Sequence, residues 1–299
     1  MELDTIYQRY KRLLQAIAYR MLGSVADAED LVHDLFLSLD RVRWEDVDNE
    51  RAYLVKMTTN RCLNVLKSSR RQREAYIGEW LPELQRVGEG EGEDPADGFE
   101  KKETLSYAFV VLLQRLSPLE RAVFLLKEAL DYDYREIGEM LGKSDVNCRK
   151  IFSRARRKVQ QERSLAPATA TAEQLADAFA LAAKTGQFGD FLKLVTEDAV
   201  LITDGGGKVR SAIFPILSRR RIAAFLEGVY ARGNFFRGEL RRVRFGGEQG
   251  FLLLKDGKPA KAICFGWDER GERIRAVYVV LNPDKLRHLA NERPRTIQD

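Results

Sequence analysis

The chain has 299 residues, 44% of them hydrophobic, with 50 Lys and Arg against 45 Asp and Glu. That apolar content suffices for two or three small domains with their own cores and excludes a disordered tail. Cys62, Cys148 and Cys264 are far apart and odd in number, which excludes a disulfide framework and a CxxC metal site and fits a reducing cytoplasm. The net charge of +5 is modest, but the bases gather in two tracts, and a local basic field points to nucleic acid.

The opening MELDTIYQRY is acidic and amphipathic, unlike a signal peptide, and no apolar run approaches membrane-spanning length, so neither secretion nor insertion is expected. From Leu3 to about Arg73 the spacing predicts helices: Leu13, Ile17 and Met21 form one stripe, and Leu31, Val32, Leu35, Phe36 and Leu39 another. Gly23 ends the first helix and Ser24 starts the second, with Asp27 in a capping-box-like position. Asp27, Asp30 and Asp34 lie off the buried stripe. The tract Lys56, Arg61, Lys67, Arg70, Arg71 and Arg73 contains no acid, so its helix can neutralise several phosphates at once.

Between Glu74 and Glu103 the stripe fades into WLPELQRVGEGEGEDPADGFE, a linker rich in Gly, Pro and acid. It keeps one apolar island, Trp80, Leu81 and Leu84, which a solvated tether does not need. A helix end packing on its own domain would explain the island equally well. Helical spacing returns from Thr104 to about Arg163. Within LSPLERAVFLLKEALDYDYREIGEMLGKSDVNCRKIFSRARRKV, Ile137 and Leu141 give one helix its buried stripe, Gly142 supplies a left-handed cap, and Ser144 or Asp145 starts the next helix. In that last helix Cys148, Phe152, Ala155 and Val159 must pack inward, which turns Arg149, Lys150, Ser153, Arg154 and Arg157 outward: a helix-turn-helix with a basic recognition face. Arg149, Lys150 and Arg154 are the candidate major-groove readers, Asn147 and Ser153 the auxiliary ones, and Arg156, Arg157 and Lys158 the phosphate contacts.

After LAPATATA the style changes. Amphipathic segments from Ala172 to Lys184 and around Phe191 to Val195 precede the strand-like runs AVLIT, FRGELRRVRF, GFLLLK, AKAICFGW and IRAVYVVL, with turn signals at Lys255 to Lys258 and Asp268 to Gly271. Antiparallel strands with helices gathered at one end indicate an α+β domain.

Three sets of residues resemble a known family. DAEDLVHDLFLSLDR followed by RAYLVKMTTNRCLNVLKSSRRQR is similar to the second conserved region of the sigma-70 family, in its small extracytoplasmic-function (ECF) branch, and Leu116 to Val159 is similar to the fourth. WLPE, DGGGK from Asp204 to Lys208 and NPDK from Asn282 to Lys285 resemble signatures of members with a fused C-terminal SnoaL-like domain, although Leu84 stands where that linker signature has proline.

The resemblance implies a multidomain chain: an all-α region 2 at 1–74, an acidic linker at 75–103, an all-α region 4 helix-turn-helix at 104–164 and an α+β SnoaL-like, NTF2-like cone domain at 165–299. It implies a non-enzymatic factor that recruits bacterial core RNA polymerase and recognises −10 and −35 promoter elements, with no cofactor and no metal. In region 2 it makes Asn60, Arg61 and Asn64 candidates for base or backbone contact at the −10 element, with Lys67, Arg70 and Arg71 as phosphate contacts and Trp44, Tyr53 and Met57 shaping the base pocket. Asp27, Asp30, Asp34 and the apolar Leu37 become the polymerase-facing set. Trp80, Leu81 and Pro82, Asp204, Gly205, Gly206, Gly207 and Lys208, and Asn282, Pro283, Asp284 and Lys285 become an interdomain regulatory set through which the last domain modulates activity in cis.

A different class of function is a small-molecule-sensing DNA-binding regulator, or an enzyme, that uses the SnoaL-like pocket. Such folds place an acid/base pair inside an apolar cone. Here His33 and His288 lie outside any cone, and Asp204, Tyr230 and Tyr278 are the residues left to converge in it; for Asp204, ahead of three glycines, turn capping is the simpler role. DGGGK lacks the GK[ST] ending of a P-loop. A ligand-responsive repressor has no use for the DAEDLVHDLF helix and the basic helix after it.

Overall fold

The computed structural model describes residues 3–39, 42–68, 76–85, 106–160, 167–233 and 235–290. The described residues pack as two compact units: 3–39, 42–68 and 109–160 form the first, and 76–85, 106–108, 167–233 and 235–290 the second.

In the first unit, α1 (Leu3–Leu22), α2 (Val25–Ser38) and α3 (Glu50–Ser68) bury the predicted stripes, with Leu13, Ile17, Met21, Leu31, Leu35 and Leu39 all in the core. Gly23 adopts φ +73° and the Ser24 hydroxyl accepts the Asp27 amide at 3.2 Å, so the α1–α2 corner follows the expected cap chemistry. A second helical set follows: α4 (Tyr107–Gln114), α5 (Pro118–Phe124) running on as one π-turn (Leu125–Ala129), α6 (Tyr134–Leu141) and α7 (Asp145–Gln160). Capping boxes at Ser117/Glu120 and Asp133/Glu136 start α5 and α6, and Gly142 ends α6 at φ +64°.

The two helical sets share one hydrophobic core. Arg121 of α5 is itself buried and donates to the Met21 carbonyl at the end of α1, to Gln114 Oε1 at 2.7 Å and to the Leu116 carbonyl at 3.3 Å. A carbonyl that α1 cannot satisfy within itself thus receives a cation from a residue 100 positions away. The neighbouring Cys62 thiol is pushed up to about 12 by burial, against the opposing pull of Arg121, so it is an inert packing group.

The second unit is α+β. Helices α8 (Thr169–Thr185), α9 (Gly189–Lys193) and α10 (Arg219–Ala231) accompany six strands: β1 (Val195–Asp204), β2 (Ile216–Leu217), β3 (Glu239–Phe245), β4 (Glu248–Lys255), β5 (Lys258–Trp267) and β6 (Ile274–Val280). The order is β2-β1-β6-β5-β4-β3. The sheet is not wholly antiparallel as expected: β1 pairs β6 in parallel, Leu201 opposite Val277 and Asp204 opposite Val280. Parallel pairing needs a long crossover, and here α10 with the β3–β5 meander supplies it.

Alternation sorts the sheet into two faces. Phe251, Ile263, Phe265, Val277 and Val279 join Leu175, Phe179 and Phe191 in a core under the helices. The alternate residues, including Leu252, Ala262, Cys264, Tyr278 and Val280, are buried as well, because α11 (Pro283–Leu286), a 3₁₀ turn (Arg287–Ala290) and the linker residues 76–85 belong to this unit. The apolar island therefore packs on the last domain: Leu81 is 1% and Leu84 0% exposed.

Candidate nucleic-acid interface and the buried linker site

On α7 the predicted stripe is buried, joined by Ile151, while residues 149, 150, 153, 154 and 156–158 are exposed. The helix begins with the Ser144 hydroxyl accepting the Asn147 amide at 3.3 Å. Its bases are not equivalent. The Arg149 guanidinium lies 4.9 Å from the Tyr134 ring centroid, a cation–π contact that restrains it toward α6. Lys158 Nζ is held by both Glu120 oxygens, at 2.9 and 3.0 Å. Burial works to raise the Glu120 carboxyl, yet Lys158 and the Ser117 amide and hydroxyl outweigh it and hold the group below its usual value. Among the described residues, Lys150, Ser153, Arg154, Arg156 and Arg157 find no side-chain partner of this kind.

On α3, Asn60 Nδ2 donates to the Met140 carbonyl of α6 at 2.9 Å, so this candidate is joined to the second helical set. Arg61 Nη2 donates to Ser38 Oγ at 2.7 Å. Asp27, Asp30, Leu31 and Asp34 of α2 face Arg61 and Asn64 of α3 across an open cleft of about 610 Å³, and Leu37 beyond it is 65% exposed. The Trp44 and Tyr53 rings meet edge to face at 6.1 Å, half-buried together with Met57. Lys67 sits in the last turn of α3; Arg70, Arg71 and Arg73 lie outside the described residues, as does the acidic run from Glu89 to Asp97.

The residues expected to form an interdomain set converge in the second unit. Asp204, 1% exposed at the end of β1, accepts from the Tyr76 hydroxyl at 2.6 Å, the Leu81 amide at 2.9 Å, the Gly206 amide at 3.0 Å and Lys285 Nζ at 2.7 Å. Lys285 also donates to the Leu81 carbonyl and lies 4.0 Å from the Trp80 ring centroid. Asn282 caps α11 through the Asp284 amide and donates to the Tyr76 hydroxyl at 3.0 Å. Burial, then the Asp204 carboxylate on its proton, push the Tyr76 phenol up. Asp204 does cap the glycine turn, but it also ties three separate segments together.

Gly206 adopts φ +60°, and a Cβ there would run into the Asn282 carboxamide; the glycines let the turn close over the asparagine. Lys208 pairs with Asp284 at the surface. Pro82 offers its carbonyl to the Tyr107 hydroxyl at 2.9 Å, and Tyr107 meets Tyr278 edge to face at 5.7 Å. Further along, the Leu84 carbonyl lies 2.6 Å from His288 Nε2, and Gln85 accepts the Gly246 amide at 3.1 Å. The linker thus crosses the sheet from the end of β1 to the β3–β4 turn. The composition of the linker signalled the island; nothing local signalled Tyr76, Tyr107 or Arg121.

Asp204 and Tyr230 do not converge with Tyr278 in the cone. Tyr230 donates to the Lys184 carbonyl at 3.0 Å, while Asp204 and Tyr278 meet linker-side groups. The cone itself is filled: Phe179 lies within 4.8–6.1 Å of the Phe191, Phe236, Phe251 and Phe265 rings, and the space left among the ring-lined walls is about 10 Å³. That is about one water. An outer cleft of about 680 Å³ at its mouth is lined by Lys184, Tyr230, Phe236 and Arg237. Among the described residues no His, Cys, Asp and Glu cluster could hold a metal, and no helix is long and apolar enough to cross a membrane.

Family models match at residues 6–72, for sigma-70 region 2, and at 107–159, for sigma-70 region 4. ECF RNA polymerase sigma factor SigJ of Mycobacterium tuberculosis is 30% identical over 293 residues, 94% of this chain and 92% of that protein. The chain belongs to the ECF sigma factors. The probable ECF sigma factor SigI of the same organism is 34% identical over 159 residues, 52% of this chain and 54% of SigI. The crystal structure of M. tuberculosis SigJ superposes with a TM-score of 0.74 at 26% identity, covering 95% of this chain and 98% of that one. The helical sets of this ECF sigma factor are therefore regions 2 and 4, and the protein is a transcription initiation factor, not an enzyme.

Proposed function

We propose that this ECF sigma factor directs promoter-specific initiation by bacterial core RNA polymerase in the cytoplasm and that its last domain governs activity in cis through the linker. The acidic face of α2 with Leu37 takes the polymerase; Asn60, Arg61, Asn64, Lys67, Arg70 and Arg71 take the −10 element; and Asn147, Arg149, Lys150, Ser153, Arg154 and Arg157 take the −35 element. Two readers on one tether bind weakly when separate and strongly once a scaffold fixes their spacing.

The observation that carries control in cis is the capture of the linker by Asp204 and Lys285, a buried ion pair at 2.7 Å that also bonds the Leu81 amide and carbonyl. The segment joining regions 2 and 4 is thereby built into the last domain. Whatever loosens that domain changes the tether. Asn60, spent on Met140, supports a resting state in which a −10 contact is withheld until region 4 moves.

Abortive transcription with and without core polymerase tests the reading. A polymerase-dependent, promoter-specific transcript is expected, and its level should change when Trp80→Ala or Gly206→Val loosens the linker. Tight sequence-specific DNA binding by the free chain, with no polymerase-dependent transcript, would contradict it.

A further inference from the structure

The outward face of α7 contains a residue that charge patterning passes over. At about 100° per residue, the buried Cys148, Ile151, Phe152, Ala155 and Val159 define one direction on the helix. Val146, Lys150, Ser153 and Arg157 lie within roughly 40° of the opposite pole, whereas Arg149 and Arg154 flank it on either side. Val146 is 55% exposed. Single exposed apolar residues are common on protein surfaces; this one is set apart by its place. It sits in the first turn of the recognition helix, where a helix-turn-helix brings side chains closest to base edges. Its neighbours on the pole are two cations and a hydroxyl.

The chemistry of that place is restrictive. A β-branched aliphatic side chain cannot donate or accept a hydrogen bond, so the one base feature it can favour in the major groove is the thymine 5-methyl group. Next to it, Lys150 reads acceptors. Arg149, restrained against Tyr134, lies to one side of that pole.

We infer that Val146 is a specificity-determining residue of the −35 reader, selecting a thymine through its methyl group. This rests on region 4 binding promoter DNA, and the test separates the two. Holoenzyme reconstituted with the full-length chain is used to select −35 sequences from a randomised promoter library and to transcribe the selected template. Each thymine of the element, on either strand, is then replaced singly by deoxyuridine, which removes only the methyl.

The wild type should enrich thymine at one position and lose about fourfold in open-complex formation on deoxyuridine there, the worth of one buried methyl. Val146→Ala should show no enrichment at that position and the same activity on thymine and deoxyuridine. Val146→Thr, of similar shape, should keep part of the preference, which shows that the helix is intact. An element selected without thymine, or a deoxyuridine penalty equal in wild type and Val146→Ala at every position, overturns the inference while leaving the sigma-factor reading in place. Absence of any selected element overturns both.

Discussion

At the scale of single residues, two buried carboxyls behave oppositely. Asp204 is fully partnered, and its worth lies in what would be left behind without it. Asp204→Ala strands Lys285 and the Leu81 amide in the interior and should cost about 3–5 kcal/mol, while Asp204→Ala with Lys285→Met should cost clearly less because no buried charge remains. Denaturant unfolding followed by the fluorescence of Trp80, which lies against Lys285, reads both; equal losses in the single and double variants would contradict the coupling. Glu248, at the start of β4, has its Oε2 buried with no hydrogen-bond partner among the described residues. Burial pushes its carboxyl up to about 8, with the Cys264 thiol beside it. The folded state then holds a proton that the unfolded chain releases near the ordinary glutamate range. Stability from this group is full below about pH 4 and falls as pH rises toward 8. Glu248→Gln should remove that slope, so its gain in Tm over wild type is larger at pH 8 than at pH 5; a gain independent of pH would place the proton elsewhere.

At the scale of elements, α7 divides its bases by their partners. Arg154→Ala should cost about 1–3 kcal/mol at one base pair and relax specificity there. Lys158→Ala, expected from the sequence to weaken binding everywhere, should leave the salt dependence of binding unchanged, since its ammonium is already held by Glu120. Competition binding of holoenzyme to single-base promoter variants over a range of salt concentrations tests both, and a slope reduced by about one for Lys158→Ala would restore it as a phosphate contact. The element itself was legible because α7 is amphipathic and its caps are local: Gly142, Ser144 and the Cys148-to-Val159 stripe are read within a few residues. The Glu120 partner of Lys158 was not legible because it stands 38 positions away, and periodicity names a face without naming what covers it. The same blindness explains the parallel β1–β6 pairing. An alternating strand reads alike in either direction. The island at Leu81 and Leu84 was visible as excess apolarity, but its destination depended on Asp204 and Lys285, more than 120 and 200 residues further on.

At the scale of the molecule, the sequence order of regions is not the order of packing. Regions 2 and 4 share a core through Arg121 and the Asn60–Met140 bond, and the intervening residues 76–85 belong to the last domain. A chain ended near Ala166 therefore does more than lose its last domain. Leu81 and Leu84, each at most 1% exposed, and Tyr107, 2% exposed, lose the sheet that covers them, and Lys285 no longer fixes the linker backbone. Two consequences should follow together. Promoter-dependent transcription by the truncated chain should differ from that of the full-length protein, because the tether between the −10 and −35 readers is released and effective concentration depends on tether geometry. The truncated chain should also self-associate, since an uncovered apolar segment seeks other cover. Leu81→Ser with Leu84→Ser should restore a monomer in the truncated background while destabilising the full-length protein, which separates exposure of the island from loss of control. Sedimentation and run-off transcription on the four proteins decide it. If the truncated chain is monomeric and transcribes as the full-length protein does, the linker is a passive tether and control in cis is wrong.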